Sequence, residues 1–575
     1  MPRMPVMDAV AHILKSEGVD VTFGVPGAAI LPLYKSLSKF PDIRHLTMRH
    51  EEGATHAADG WARATGKVGV AIGTSGPAGT NMITGLYTCQ GDSIPIVCIT
   101  GQAATGTLHQ EPFQGVNIAE IARPVTKKSY LVMETAQIPG VFREAFRIAR
   151  EGRPGPVLID LPVDIQKGEV DYEPDLDAPL PWSKAAPAPG LIRKAMEMLL
   201  AAERPVLMMG GGVLRADATD AFVRLGEYLN VPMIPTYMAE GGIPFNHPLY
   251  GGRVGIQTNT RGGNKLFLES DFVLSIGNRF AGRHTGQLDV YRGDRTFVHI
   301  DVDPTQLGRV FSPDLGIVAD ASRALDALLE AAKDQTDPRP ETEWSKKAKE
   351  YKETLLRKMD FDDVPIKPQR IFKEINEFFP EGTTFVTAIG LYQIWSGQFQ
   401  EINQPHTYFC CGQAGPLGWE VPTCLGVKMA RPDDLVVGIS GDYSVQFLLG
   451  DIATAVQNRV PYVFILLNNG YLGLIRQPSQ RVYDMNYAVD IGYEDGYGPD
   501  FVRLFESFGA TGVRVTEPGE IKGAFSWAVK AAKEQSVPVV VEIREDRDTD
   551  AAMGTRIDQI QEYEPILDLS PATVG

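Results

Sequence analysis

Three doubly wound α/β domains, each built on a parallel sheet, are predicted by three observations. At 575 residues the chain is longer than one hydrophobic core accommodates. Short apolar runs alternate with segments of helical periodicity in three separate stretches, the pattern of parallel sheets wound on both faces. Two polar, proline-bearing stretches, 173–189 and 332–344, separate them as linkers. The expected divisions are 1–172, 190–335 and 365–550, with 551–575 as a C-terminal tail.

In the first stretch VTFGV, VGVAIG, IPIVCITG and PVLIDLP read as strands, with ILPLYKSLSK as a helix after the first. Their ends are punctuated by Gly24-Val25-Pro26-Gly27, by the loop 73–81 and by Gly101-Gln102, as tight strand-to-helix turns require. The loop 73–81 lacks the Gly-Lys-Ser/Thr ending of a Walker loop. Glu51 and Glu52 open a helix running through Trp61; read alone, they are acids complementing the helix macrodipole.

In the middle stretch PVLMMG, VPMIPTY, FVLSIGNRF and FVHIDVD suggest a Rossmann-like sheet. Its run Gly210-Gly211-Gly212 is not GxGxxG, so the run by itself carries little dinucleotide signal. The second linker leads into a Lys/Glu-rich solvated helix over 346–358.

The third stretch opens with the helix QRIFKEINEFF and the strand TTFVTAIG, followed by the glycine-rich 411–419. The segment 435–476 then gives a βαβ unit, with strands 435–440 and 462–467 ending in Asp442 and in Asn468-Asn469. A carboxylate, an amide oxygen and a nearby carbonyl are hard donors suited to Mg²⁺ beside a diphosphate, and Gly441 allows close backbone approach. On those letters alone, Gly-Asp and Asn-Asn serve equally well as turn dipeptides.

The formal charge of −17 offers no net cationic field for nucleic acid or anionic membrane, although a local basic pocket can still take an anionic substrate. Five cysteines, Cys89, Cys98, Cys410, Cys411 and Cys424, sit in apolar runs without CxxC spacing and read as buried packing residues in a reducing compartment. The N-terminal residues lead into an amphipathic helix without a long apolar segment, and no apolar run reaches membrane-spanning length. A cytoplasmic protein is the expectation.

The segment 435–476 resembles the diphosphate-binding signature of thiamine diphosphate enzymes, with Tyr443 where a glycine is usual. RHEEGATHAADGWARATG followed by GTSGPAGTN resembles the pyrimidine-binding domain of the acetohydroxyacid synthase group, and the resemblance extends along essentially the whole chain. It implies pyrimidine-binding, central and diphosphate-binding domains in that order. It also implies a carboxyl at Glu51 on the aminopyrimidine N1′, which favours the tautomer whose N4′ is a base. Cofactor contacts are implied at Pro26, Gly27, Pro77 and Asn81, with Gln114 facing the cofactor. Others fall at Gly390, Leu391, Gln413 and Gly415, and Leu417 is the apolar wedge beneath the cofactor. Gly441, Asp442, Tyr443, Ser444, Asn469, Tyr471, Leu472 and Gly473 complete the set, with Asp442, Asn469 and Tyr471 on Mg²⁺. FAD, structural in the carboligases of this group, is implied at Arg153, Gly210, Gly211, Thr236, Asn278, Arg279, Arg283, Asp301 and Asp320.

Within the group, FGVPGAAI, GRPGPVLIDLP, HIDVDPTQLGRV, CGQAGPLGW and NNGYLGLIRQ read like the members that use glyoxylate. The implied reaction decarboxylates one glyoxylate and joins the remaining carbon unit to a second, giving tartronate semialdehyde and CO₂. Ile389, Leu417, Leu474 and Ile475 would wall a small dry pocket for this 2-oxo acid, with Arg476 holding its carboxylate. Pro478 stands where acetohydroxyacid synthases carry a tryptophan favouring larger acceptors, whereas Glu51 stands where the best known glyoxylate-using members carry valine. The alternatives are acetolactate formation from pyruvate and, from another class, a cofactor-binding homologue without turnover. A homodimer or homotetramer with active sites at subunit interfaces is expected from the group.

Overall fold

The computed structural model describes residues 2–568, and three parallel sheets carry the chain. The first runs in the spatial order Arg44–Thr47, Val21–Gly24, Gly69–Gly73, Ile96–Gln102, Val157–Pro162, Lys128–Leu131. The third runs Tyr408–Cys410, Thr384–Thr387, Val436–Gly441, Val463–Asn468, Val539–Arg544, Thr511–Val515. Numbered by appearance within each sheet, both read 2-1-3-4-6-5, so the two units share one winding. The middle sheet follows the same start, 2-1-3-4-5, with Met233–Pro235, Pro205–Met209, Phe272–Ile276, Thr296–Asp301 and Leu315–Val318. The central strands are buried on both faces, which is why the sequence shows continuous apolar runs there rather than alternation.

In each sheet the winding reverses direction between its first and third strands. The crevice outside their carboxyl ends is where open α/β sheets bind ligands. The chain therefore has three such places, one per sheet.

The first and third sheets are joined by a continuous core that includes Leu46, Trp61, Trp419, Leu425 and Phe464. Its centre is the pair of helices Glu51–Thr65, rich in Ala and Gly, and Glu420–Ala430, both largely buried. They pass so closely that a Cβ on Gly426 would lie 2.0 Å from the Ala57 carbonyl oxygen, and one on Gly60 would lie 2.6 Å from that of Thr423.

The stretch between Asp171 and Pro189 has no regular structure. The helix Ala321–Gln335 extends into the stretch read as the second linker, which shortens it to 336–342. The Lys/Glu-rich helix spans Glu343–Thr354 and stops short of Lys358, because Leu355–Arg357 instead forms an antiparallel strand with Ile566–Asp568. Residues after 550 pack on the body through buried Ala551, Ala552 and Ile557, and 569–575 lie outside the described residues. Among the described residues no helix is long and apolar enough to cross a membrane.

Candidate functional site

At the reversal point of the third sheet, Val436–Gly441 delivers Asp442 and Val463–Asn468 delivers Asn469. Asp442 is buried; its Oδ2 accepts from the Gly470 N–H at 3.1 Å, and burial pushes its carboxyl up to about 7. The Asn469 Oδ1 accepts from the Tyr471 N–H at 3.0 Å, while its Nδ2 donates to Glu545 Oε1 at 2.9 Å. Glu545 is buried, its Oε2 has no partner, and burial together with the charge of Asp442 pushes its carboxyl well above the usual range. Two buried carboxylates in each other's field, one with an orphaned oxygen, fit a cation held by Asp442 and the Asn469 amide oxygen. No group of three or more His, Cys, Asp or Glu side chains suited to a metal occurs among the described residues, so a cation here would take its remaining oxygens from carbonyls, water or a phosphate ligand.

The neighbouring loops close on this point. A Cβ on Gly473 would lie 2.9 Å from Leu391 Cδ1 and 3.3 Å from Asn469 Nδ2, and one on Gly441 would press on the Tyr392 ring at 2.9 Å. Tyr443 packs edge-on to Phe447. Ser444 Oγ accepts from the Gly418 N–H at 2.9 Å, tying the 411–419 loop to the helix Asp442–Val445. Within that loop Gly415 has a left-handed φ of 61° and abuts Ile389, while Leu417 is half-buried.

At the reversal point of the first sheet, Glu51 is the first residue of its helix, and the His50 Nδ1 caps the helix by accepting from the Glu52 N–H at 3.1 Å. Asn81 Nδ2 donates to Glu51 Oε2 at 2.9 Å, which leaves the other carboxyl oxygen open. The Pro26-Gly27 turn lies on Thr74, 2.5 Å from where a Gly27 Cβ would stand. Gln114, at φ 56°, lies over Gly76 and accepts from Ser75 Oγ at 3.2 Å, next to Pro77. Among the described residues no hydrogen bond or ion pair links Glu51 with the Asp442–Asn469 crevice of the same chain.

The reversal point of the middle sheet opens into a cavity of about 400 Å³. Gly211, Thr236, Asn278, Arg279, Arg283, Asp301 and Asp320 line it from the middle unit, and Arg153 from the first. Gly210 lies just behind, where a Cβ would strike the Gly277 carbonyl oxygen at 2.2 Å. Arg215 and Arg279 line the cavity without a hydrogen bond or ion pair among the described residues, and burial lowers both guanidinium groups, Arg215 to about 10. Asp301, raised by burial to about 6, accepts from the Asp303 N–H, and Asp320 caps the following helix through Ser322. Unpartnered guanidinium groups fit a diphosphate, and carboxylates at strand ends fit ribose hydroxyls.

Arg476, expected to hold a substrate carboxylate, is 2% exposed, and its guanidinium donates to Asp550 at 2.7 Å, to Gln480 at 2.6 Å and to the Asp548 carbonyl at 3.0 Å. These partners engage its two terminal nitrogens, whereas its buried Nε has none among the described residues. Leu472 begins the same turn, yet Leu474 is only half-buried and Ile475 is 57% exposed, so within a single chain this side of the apolar wall is open. Four further features had not been expected: Glu545 beside Asn469, the buried Asp59–Arg63–Asp92 chain, and Trp182 and Lys184 lining the cavity. An aromatic and a cation inside a Pro/Ala-rich linker were a usable signal for the last two; the others depend on distant pairings.

Three family models cover the chain. "Thiamine pyrophosphate enzyme, N-terminal TPP binding domain" matches residues 4–121, the central domain of the same family 192–328, and its C-terminal TPP binding domain 388–543. The chain is 48% identical to a protein named glyoxylate carboligase from Escherichia coli O157:H7, over 99% of this chain and 98% of that one. It is 36% identical to a probable acetolactate synthase large subunit from Methanococcus aeolicus, over 91% and 89% of the two chains. With the acetolactate synthase isozyme 3 large subunit of Escherichia coli K12 it shares 34% identity over 93% of each.

Proposed function

The chain belongs to the thiamine pyrophosphate enzyme family, and from that premise we propose that it is a glyoxylate carboligase, decarboxylating one glyoxylate and joining the remainder to a second to give tartronate semialdehyde and CO₂. The observation that carries this reading is Glu51 at the first reversal point together with Asp442 and Asn469 at the third, in a chain similar along its length to the protein named glyoxylate carboligase. A homologue without turnover has no use for both the activating carboxyl and the metal crevice.

Asp442, the Asn469 amide oxygen and the Tyr471 carbonyl would hold Mg²⁺, with Gly441, Tyr443, Ser444, Leu472 and Gly473 around the diphosphate. Bound there, thiamine diphosphate supplies a thiazolium carbon nucleophile and an electron sink for the carbanion left by decarboxylation. Glu51 keeps one oxygen on Asn81 and holds a proton at the pyrimidine N1′ with the other. Pro26, Gly27, Pro77 and Gln114 line the pyrimidine side, and Gly390, Leu391, Gln413, Gly415 and the wedge Leu417 the other. Once a second subunit covers the side left open at Leu474 and Ile475, these residues with Ile389 and Leu417 would exclude water from the reacting carboxylate, which favours its loss.

Glu51 lies in the first unit and Asp442 in the third, and the two units share a core. No hydrogen bond or ion pair among the described residues joins Glu51 to the Asp442 crevice, however, which supports sites completed between the subunits of a homodimer or a tetramer built from it. Half-exposed or exposed apolar side chains flanking the crevice, Phe447, Ile475, Val482 and Tyr483, support the same assembly. The cavity of the middle unit fits FAD in a structural role, since the reaction balances without an oxidant. Five buried, unpaired cysteines support a cytoplasmic setting.

Glu51 favours a second reading, acetolactate formation from pyruvate, because the best known glyoxylate-using relatives carry valine there. Product analysis after anaerobic incubation with glyoxylate or pyruvate, thiamine diphosphate and Mg²⁺ separates the two. Tartronate semialdehyde from glyoxylate supports the main reading; acetolactate from pyruvate alone replaces it.

A further inference from the structure

The 411–419 loop is a shared wall. Its first residues, Gly412 and Gln413, line the middle cavity, and its later ones, Gly415 and Leu417, lie beside Ile389 and the Asp442 crevice. Its beginning is held almost entirely by side chains that also face the cavity or back it. Asp92 accepts from the Gly412 N–H at 2.9 Å and the Gln413 N–H at 3.0 Å. Arg63 donates to the Cys410 carbonyl at 2.8 Å, and Gln393 donates to that of Cys411 at 3.0 Å. Gln393 is itself held by cavity-lining Arg283 at 3.0 Å. Behind Asp92 runs a buried chain: Arg63 donates to Asp92 at 2.9 Å and to Asp59 at 2.7 Å, and Asp59 accepts from Trp419 Nε1 at 2.7 Å at the far end of the same loop.

We propose that Asp92, with Arg63 and Asp59 behind it, is a positioning residue that couples occupancy of the middle cavity to thiamine diphosphate binding through the 411–419 loop. The proposal rests on the reading of the two sites given above. Asp92 stands between two sets of cations, Arg63 on its inner side and the unpartnered Arg279 and Arg215 of the cavity on its outer side. Burial alone would raise the Asp92 carboxyl, and Arg63 with the Gly412 N–H outweighs that, keeping it charged. An anionic ligand that engages Arg279 and Arg215 fixes the outer wall, and Asp92 is left to hold the two loop N–H groups. A loop ordered by the first ligand costs the second less to bind, which is positive coupling. Thermodynamic linkage makes the effect reciprocal.

The test titrates FAD into the full chain freed of small molecules, with and without saturating thiamine diphosphate and Mg²⁺, and follows flavin fluorescence. Calorimetry of thiamine diphosphate with and without FAD supplies the reciprocal measurement. The expected result is that each ligand tightens the other by the same factor, about fivefold or more. In Asp92→Asn, one side-chain oxygen cannot serve Gly412, Gln413 and Arg63 together, so the factor falls toward one while both ligands still bind. Binding of both ligands to the wild-type chain with no mutual effect overturns the coupling and leaves the site readings standing; that result needs no variant. Full coupling retained in Asp92→Asn overturns the role of Asp92. Failure of the wild-type chain to bind FAD overturns the flavin reading and the proposal with it.

Discussion

Replacing Arg476 by methionine separates a structural ion pair from a substrate contact. Both partners of the main pair are buried, with side chains 2% exposed for Arg476 and 1% for Asp550 at 2.7 Å. Removing one member of such a pair leaves a desolvated charge and costs about 3–5 kcal/mol. Two details place the expected loss at the lower end. Asp550 keeps a second ion pair with Arg481 at 2.8 Å, although that side chain is 51% exposed. The contact with Asp548 contributes little, because that carboxylate is 78% exposed. A loss of about 3 kcal/mol corresponds to a fall in Tm of roughly 6–12 °C for a unit of this size. Thermal unfolding of Arg476→Met checks the fall, and Arg476→Met with Asp550→Asn recovers most of it by removing the stranded charge. The KM for glyoxylate in the folded variant stays near wild type. An unchanged Tm with a KM raised about tenfold would refute the reasoning and restore Arg476 as a carboxylate ligand.

Gly426→Ala forces the two central helices apart, because its Cβ meets the Ala57 carbonyl at 2.0 Å; a loss of about 1–3 kcal/mol in denaturant unfolding is expected, with reduced kcat as the helix bearing Glu51 shifts. Burial pushes the Glu420 carboxyl up to about 7 from 4.5, so ionising it costs stability that is absent below the lower value and complete above the higher one. Glu420→Gln keeps an acceptor for Ser440 and gains up to about 3 kcal/mol near pH 8 and nothing near pH 4, read from paired denaturation curves. Asp442→Asn abolishes Mn²⁺ binding measured by electron paramagnetic resonance while leaving the fold intact by circular dichroism. Glu51→Gln and Asp442→Asn chains, inactive apart, recover about a quarter of wild-type activity when refolded together if sites form between subunits; no recovery places both residues in one site of one chain.

The sheets were legible because buried parallel strands announce themselves as unbroken apolar runs, as 435–440 and 462–467 do. The short edge strands Arg44–Thr47 and Tyr408–Cys410 were not, since the first buries a single apolar residue and the second, though wholly buried, is only three residues long. Asp442 and Asn469 stood out because each follows a strand end, which local punctuation marks. Glu51, which opens a helix, reads locally as an acid complementing the macrodipole and was singled out by the resemblance of its segment. Arg476 was harder to place, for the opposite reason. Its partner Asp550 lies 74 residues further on, beyond the end of the last long strand, and no local pattern reveals such a pairing. Asp92 was hidden for the same reason, 320 positions from the Gly412 N–H it accepts.

What sequence could not convey is that the three reversal points are not independent. The first and third units share a core through Gly60 and Gly426, and the third and middle units share the 411–419 loop as a wall. A residue such as Asp92 therefore belongs to the first unit by sequence, lines the cavity of the middle unit and holds the backbone of the third. Substitutions around it will not sort into binding and stability effects, because the same two hydrogen bonds serve both. This also gives the middle cavity a use without redox chemistry: a ligand that never reacts can still fix the wall against which the reacting site is built.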